Sequence, residues 1–151
     1  LFVKNASSGV GWSLGILIFP ALRAHATLDS PFWIAFVYMF LTVMTYEIMW
    51  DIRDRAGDHA AGVITVPVAW GIRRARAFIV LLQAACTLLI GLGLWQGLLE
   101  VPWAIFILPP ITLVTVTLLF DLEAHRSLSH GMVCGLVVFS LLGGILASWA
   151  E

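Results

Sequence analysis

Four acidic side chains recur at helical spacing in this sequence, at Glu47, Asp51, Asp54 and Asp58. At about 100° per residue, an α-helix places all four within an arc of roughly 60°. Neighbouring like charges on one helix face repel each other by a few tenths of a kcal/mol per pair. The spacing therefore predicts an acidic stripe that needs positively charged partners.

The segment that contains these acids, residues 47–71, has the residue types of a site that handles a diphosphate. Carboxylates are hard oxygen ligands, and Mg²⁺ is typically held by one or two of them together with water and substrate phosphates. Arg53 and Arg55 lie between the acids, and planar guanidinium groups suit phosphate oxygens. We therefore expect acids for a metal ion beside arginines for phosphates.

A structural interpretation of the same residues stays open. Asp51 and Arg55 are four residues apart, a spacing that allows an ion pair within one helix. The acids would then form a solvated helix end that its own arginines balance. The position of the stripe directly after a long apolar run favours the functional interpretation. We expect Gly57 and Gly62 to let the helix end and the chain turn back toward the membrane.

The composition predicts an all-α integral membrane protein. Of the 151 residues, 61% are hydrophobic and 11% are charged, whereas about a quarter of the residues in a soluble domain are charged. We expect a multi-helix transmembrane bundle that forms a single domain over residues 1–151. Its apolar runs predict about five spans, at residues 6–24, 32–50, 77–95, 103–120 and 131–150.

The cations predict the orientation of the bundle. If the acidic segment faces the cytoplasm, alternating spans place seven of the eight lysines and arginines on the cytoplasmic side and only Arg23 outside. We therefore expect a multi-pass protein with the aspartate-rich segment in a cytoplasmic loop. The net charge of −1 and the lack of a basic region indicate no nucleic-acid partner.

Prolines predict where two of the spans begin or bend. Pro31 suits the first turn of the second span, where Asp29 or Ser30 can cap the helix. Pro109-Pro110 falls within the fourth span, and we expect it to bend or break that helix.

Two further groups of residues have a plain structural interpretation. Cys86 and Cys134 lie inside apolar runs and match no metal-ligand spacing, so we interpret them as small membrane-core residues.

We expect a solvated connector at residues 121–130, with a mobile lid over the cytoplasmic opening as the alternative. Its polar residues are Asp121, Glu123, His125, Arg126 and His130.

The segment TYEIMWDIRDRAGDHAAGVITVPVAWG, residues 45–71, resembles the second aspartate-rich motif of the UbiA-type superfamily of membrane prenyltransferases. The match covers the acids, the glycine after them, the Thr65-x-Pro67 pair and the closing Gly71. One helix earlier, Lys4-Asn5 precedes an apolar run, and three helices follow the motif. This layout resembles the last five of that family's nine helices, which implies the C-terminal part of a longer domain.

The resemblance implies an enzyme reaction. An isoprenyl group would pass, with Mg²⁺ as cofactor, from an allylic prenyl diphosphate to a hydrophobic aromatic or lipid-like acceptor in the lipid bilayer. The implied catalytic residues and metal ligands are Asp51, Asp54 and Asp58. The implied diphosphate-binding residues are Arg53, Arg55 and Lys4, with Glu47 as support for the metal ligands.

The sequence also departs from the family pattern. The family's first motif, Asn-Asp-x-x-Asp-x-x-x-Asp on an earlier helix, does not occur in this sequence, which begins with Leu1 rather than Met. We expect a processed protein or a piece of a longer one. Two other functions stay open: a catalytically silent membrane subunit, or a divalent-cation transporter. The transporter is disfavoured because transport acids usually lie near mid-membrane.

Overall fold

The computed structural model describes residues 3–119, which form helices and short connections with no strand among them. The predicted all-α fold is confirmed. Helix α1 is Val3–Ser13, a π-helical turn is Leu14–Ile18, α2 is Phe19–Arg23, α3 is Ser30–Ala60 and α4 is Val66–Trp70. Helix α5 is Ile72–Trp95, and a 3₁₀ segment, Val101–Ile107, leads into α6, Leu108–Leu119.

Three helical stretches are long and apolar enough to cross a membrane, namely Ser30–Ala60, Ile72–Trp95 and Val101–Leu119. They confirm the second, third and fourth predicted spans. The first predicted span, at residues 6–24, is helical through Arg23 but is not one of the three. The remaining predictions fall outside the described residues: the fifth span at 131–150, the connector at 121–130 with its five polar residues, and Cys134.

The first helical stretch, the rod formed by residues 3–23, is interrupted just before Pro20. The Phe19 N–H donates to the Leu14 carbonyl, five residues back instead of four. A proline ring clashes with the carbonyl four residues before it, and a π turn gives the backbone the extra room that the ring requires. The rod ends at Arg23, and His25 turns the chain with φ of 52°.

Helix α3 is the central element, with α1 and α5 packed against it. The contact with α1 is close because Gly9 has no side chain. A Cβ atom on Gly9 would lie 2.8 Å from Phe40 Cδ2 and 3.2 Å from the Phe40 carbonyl oxygen. Between membrane helices, such close packing of small residues is a main source of association. The contact with α5 is apolar, and its fully buried members include Ile48, Ile52, Ala75 and Ile79.

Buried polar side chains also join α3 to α5. The Thr45 hydroxyl donates to the Leu41 carbonyl, 3.0 Å away, and therefore accepts from Gln83 Nε2. One turn earlier on α3, Thr42 Oγ1 lies 3.9 Å from Cys86 Sγ. Cys86 is fully buried, which confirms its interpretation as a core residue.

The proline predictions are confirmed at both positions. The Phe32 N–H donates to Asp29 Oδ1 at 3.1 Å, so Asp29 caps α3, and Pro31 lies in the first turn. Pro109 and Pro110 lie in the first turn of α6, where N–H groups have no α-helical partner to lose. The predicted break corresponds to the change from 3₁₀ helix to α-helix between Ile107 and Leu108, just before the two prolines.

The prediction of a loop for the acidic segment is wrong. Helix α3 continues past Trp50 to Ala60, so the acids lie on the helix itself. Hydropathy reports where the apolar run stops, but the backbone continues as a helix because Arg and Ala are strong helix formers. Gly57 lies inside α3 and does not end it.

Gly62 ends the helix as predicted, with φ of 70°. Its N–H donates to the His59 carbonyl at 3.2 Å, and the Val63 N–H donates to the Asp58 carbonyl at 2.8 Å. This pair of bonds is the Schellman motif, which places glycine at the left-handed position after a helix. The turn directs the chain toward α4 and then into α5.

Candidate functional site

The predicted acidic stripe is present on α3 and runs from the interior of the bundle to its surface. The side chains of Glu47 and Asp51 are 12% and 3% exposed, whereas that of Asp54 is 45% exposed. Asp58 is half-buried near the end of the helix. At 1.5 Å per residue, the first and last acids are about 16 Å apart along the axis.

Lys4 of α1 lies between the two inner acids. Its Nζ is 2.6 Å from Asp51 Oδ1 and 3.8 Å from Glu47 Oε2. Asn5 Nδ2 donates to the other oxygen, Asp51 Oδ2, at 3.1 Å. Two consecutive residues of α1 therefore bind both oxygens of one buried carboxylate, which fixes α1 to α3 at the acidic end.

The electrostatic environment keeps Lys4 positively charged. Burial lowers the pKa of Lys4, but its hydrogen bond to Asp51 and the negative charges of Asp51, Glu47 and Asp58 raise that pKa above its ordinary value of 10.5. The inner half of the stripe thus has the cation that its like charges require.

A second cation serves the outer half of the stripe. Arg53 Nε donates to Asp54 Oδ1 at 3.0 Å, and Arg53 Nη2 donates to Asp54 Oδ2 at 2.6 Å. Such two-pronged contacts are among the stronger hydrogen-bonded pairs. Consecutive helix residues point about 100° apart, so this contact turns the Arg53 guanidinium toward the stripe. Asp58 has no ion-pair partner in the part of the chain that the structure describes.

The predicted structural alternative, an ion pair between Asp51 and Arg55, is not formed. Asp51 contacts α1 instead, because Lys4 and Asn5 occupy both of its oxygens. Arg55 is half-buried on α3. Asn5, which is 1% exposed, was not predicted as a site residue. Its position beside Lys4 in the sequence was the available signal.

The described residues fit part of a Mg²⁺ site. Among residues 3–119, no three His, Cys, Asp or Glu side chains are close enough to hold a metal ion by themselves. Mg²⁺ needs only one or two carboxylates when water and substrate phosphates complete its shell. Asp54 and Asp58, one turn apart and partly exposed, provide such carboxylates.

The motif residues after the stripe shape the turn into α5. Thr65 is buried just before α4, and Pro67 lies buried in the first turn of α4. Gly71, with φ of 80°, separates α4 from α5. Together they return the chain to the bundle at the end that contains the acids and their cations.

The fold and this arrangement define a helical membrane protein with paired acids and cations at one end of its bundle. The sequence model of the UbiA prenyltransferase family matches residues 1–132, which is most of the chain. The chain therefore belongs to the UbiA prenyltransferase family, as the resemblance predicted.

One relative gives a more specific comparison. The chain is similar to the digeranylgeranylglyceryl phosphate synthase of Methanopyrus kandleri, with 27% identity over 111 residues. The match covers 69% of this chain and 41% of that protein, so it spans about two-fifths of the relative's length. No solved structure matches the chain. The family and this relative support prenyl transfer in a membrane.

Proposed function

We propose that this chain forms part of the site for Mg²⁺-dependent transfer of an isoprenyl group from an allylic prenyl diphosphate. The receiving molecule is an aromatic or lipid-like acceptor in the membrane. The main support is the pairing of acids and cations along one stripe of α3, with Lys4 on Asp51 and Arg53 on Asp54. A metal–diphosphate pair needs both kinds of side chain in one place.

The cations of the stripe are suited to exchange partners. Lys4 and Arg53 each donate to a carboxylate of α3, and phosphate oxygens are anionic acceptors of the same kind. An incoming diphosphate can therefore replace the carboxylates as the partner of both side chains. We assign a third diphosphate contact to Arg55 on the same helix.

The acids would take the metal after this exchange. We assign Asp54 and Asp58 as Mg²⁺ ligands, with Asp51 completing the set once Lys4 has turned to the diphosphate. Glu47, 3.8 Å from Lys4, stays as a supporting charge. Leaving a buried charge without a partner is costly, and this exchange keeps Asp51 paired in both states.

The chemistry follows from charge that develops on a leaving group. The bond between the allylic carbon and the diphosphate oxygen breaks, and the diphosphate leaves with the bonding electrons. Mg²⁺, when bound, supplies positive charge that stabilises this leaving group. Lys4 and Arg53 donate to its oxygens, while the acceptor forms the new bond to the allylic carbon and loses a proton.

Single substitutions of the two outer acids test this proposal. The protein encoded by the natural reading frame is assayed in membranes with a radiolabelled allylic diphosphate and Mg²⁺. Asp54→Asn and Asp58→Asn should each reduce transfer by about 100-fold or more. Glu100→Gln, which changes an exposed acid at the other end of α5, should leave it unchanged. Full activity in Asp54→Asn would contradict the assignment. Complete inactivity of the wild type beside a stably bound partner would favour a silent subunit.

We also propose that the acidic end faces the cytoplasm, on the distribution of cations described above. His59 is exposed at the end of α3, so His59→Cys provides a thiol there. An impermeant maleimide should label this variant in inside-out vesicles and not in right-side-out vesicles. The opposite labelling would reverse the orientation.

A further inference from the structure

The proposed site does not use a groove on α5. The groove has a volume of about 450 Å³ and is lined by Trp70 of α4 and by Arg74, Ala77, Phe78 and Leu81 of α5. Arg74, Ala77, Phe78 and Leu81 follow an i, i+3, i+4, i+7 pattern, so they share one broad face of the helix.

Among the described residues, this face of α5 differs from the sides of the helix that lie toward α3 and α6. The face toward α3 includes Ala75, Ile79 and Leu82. On a second side, Val80 and Ala84 line a gap between α5 and α6. At about 100° per residue, Arg74 and Leu81 point between these two sides, while Phe78 packs partly against the core. Among residues 3–119, Arg74 and Leu81 are therefore on an exposed face of a helix that is long and apolar enough to cross a membrane.

This exposed face is apolar over the depth of one membrane leaflet. Leu81 and Leu88 are 64% and 62% exposed, and Ala77, one turn before Leu81, is also exposed. From Ala77 to Leu88 the helix rises about 16 Å, close to half of the roughly 30 Å hydrocarbon core of a bilayer. An acyl chain that follows this face has apolar contacts along its whole length.

The end of the groove at the N-terminus of α5 is positively charged instead of apolar. Arg73 and Arg74 are exposed in the first turn of α5. Trp70 packs edge-on against Phe78, with ring centroids 5.8 Å apart, and forms a wall of the groove beside Arg74. Tryptophan and arginine are typical of the boundary where headgroups meet hydrocarbon. Arginine near that boundary attracts anionic lipids.

We propose that this groove binds an anionic phospholipid. The Arg74 guanidinium contacts the lipid phosphate, Trp70 and Phe78 flank the glycerol region, and one acyl chain lies along Leu81 and Leu88. The charge of Arg74 and the apolar stripe that continues from it determine the occupant. A zwitterionic lipid offers the same chains without the net negative charge. This inference is independent of prenyl transfer.

Native mass spectrometry of the protein from its natural reading frame tests the proposal. The purified protein is titrated with phosphatidylglycerol, which is anionic, and in parallel with phosphatidylcholine, which is zwitterionic. The wild type should bind phosphatidylglycerol more tightly. Arg74→Gln should reduce that preference about fivefold, the effect of one cation near an anionic surface. Ala77→Trp, which fills the groove without changing charge, should eliminate the tight site.

Arg23→Gln is the matched control, because Arg23 is an exposed arginine at the far end of the bundle. It should bind both lipids as the wild type does, and all variants should show the same melting temperature in detergent. Equal affinity of the wild type for both lipids would overturn the proposal. So would an unchanged preference in both groove variants. Displacement of phosphatidylglycerol by millimolar inorganic phosphate would also overturn it and would assign the site to a free anion.

Discussion

The Lys4 ammonium lies 2.6 Å from the Asp51 carboxylate, across 47 residues of sequence. The carboxylate is buried and accepts a second bond from Asn5, so the contact joins the first helix to the central one. The same cation lies beside the acids that we assign to the metal. The same ion pair therefore contributes to the packing of α1 on α3 and to the proposed diphosphate site.

Removal of Lys4 should weaken both the fold and substrate binding. Lys4→Met leaves Asp51 with Asn5 as its donor, and we expect a loss of about 1–2 kcal/mol in unfolding free energy. The loss is smaller than for a fully buried pair because Lys4 is partly exposed. Unfolding in mixed detergent measures it. In a double-mutant cycle, Asp51→Asn should cost less when Lys4 is already Met, and strict additivity would show that the two side chains do not interact.

Above neutral pH, the stabilising effect of Lys4 should change only in strong alkali. Since the pKa of Lys4 is raised above 10.5 in the folded protein, its contribution is complete below that value. It is lost as the pH rises through the folded pKa. The stability difference between wild type and Lys4→Met should stay constant from about pH 7 to pH 9 and shrink as the pH rises above 10.5. A difference that declines between pH 7 and pH 9 would contradict this assignment.

Gly9 should tolerate no side chain, whereas Gly11 should tolerate one. A Cβ on Gly9 would meet the Phe40 backbone at 3.2 Å, but a Cβ on Gly11 has nothing within 4 Å. Gly9→Ala should therefore destabilise the α1–α3 contact by about 1–3 kcal/mol. Gly11→Ala should be neutral or slightly stabilising, because alanine favours helix. Similar unfolding curves for the two variants would show that the close approach at Gly9 is not required.

The end of α3 offers a second matched pair of glycines. Gly62 has φ of 70°, where an alanine costs about 1–2 kcal/mol. Gly57 lies inside the helix with open space around it. We expect Gly62→Ala to lower the melting temperature and Gly57→Ala to leave it unchanged or raise it. The reverse order would contradict the Schellman motif at this position.

Local patterns predicted the parts of the structure that depend on neighbouring residues. The acidic stripe follows from helix periodicity, and the cap at Asp29 and the break at Pro109-Pro110 follow from short-range sterics and hydrogen bonding. The family of the protein was also evident from one motif. These features need no knowledge of which helices touch.

The interpretations that the structure contradicts either needed information on tertiary contacts or relied on the wrong physical signal. Arg55 is the nearest cation to Asp51 along its own helix face, but Lys4 binds it because α1 packs closely at Gly9. No spacing rule relates residues 47 positions apart. The loop prediction failed because hydropathy describes the surroundings of a segment and not its backbone.

The most direct test of the central claim is binding of an unreactive prenyl thiodiphosphate to the protein from its natural reading frame. The dissociation constant is measured with Mg²⁺ and with EDTA, for wild type, Asp54→Asn, Asp58→Asn and the Glu100→Gln control. We predict that Mg²⁺ tightens binding by about tenfold or more in wild type and control, and that both aspartate variants lose this effect. Equal binding with and without Mg²⁺, or variants that respond to Mg²⁺ as the wild type does, would contradict a metal–diphosphate site on α3.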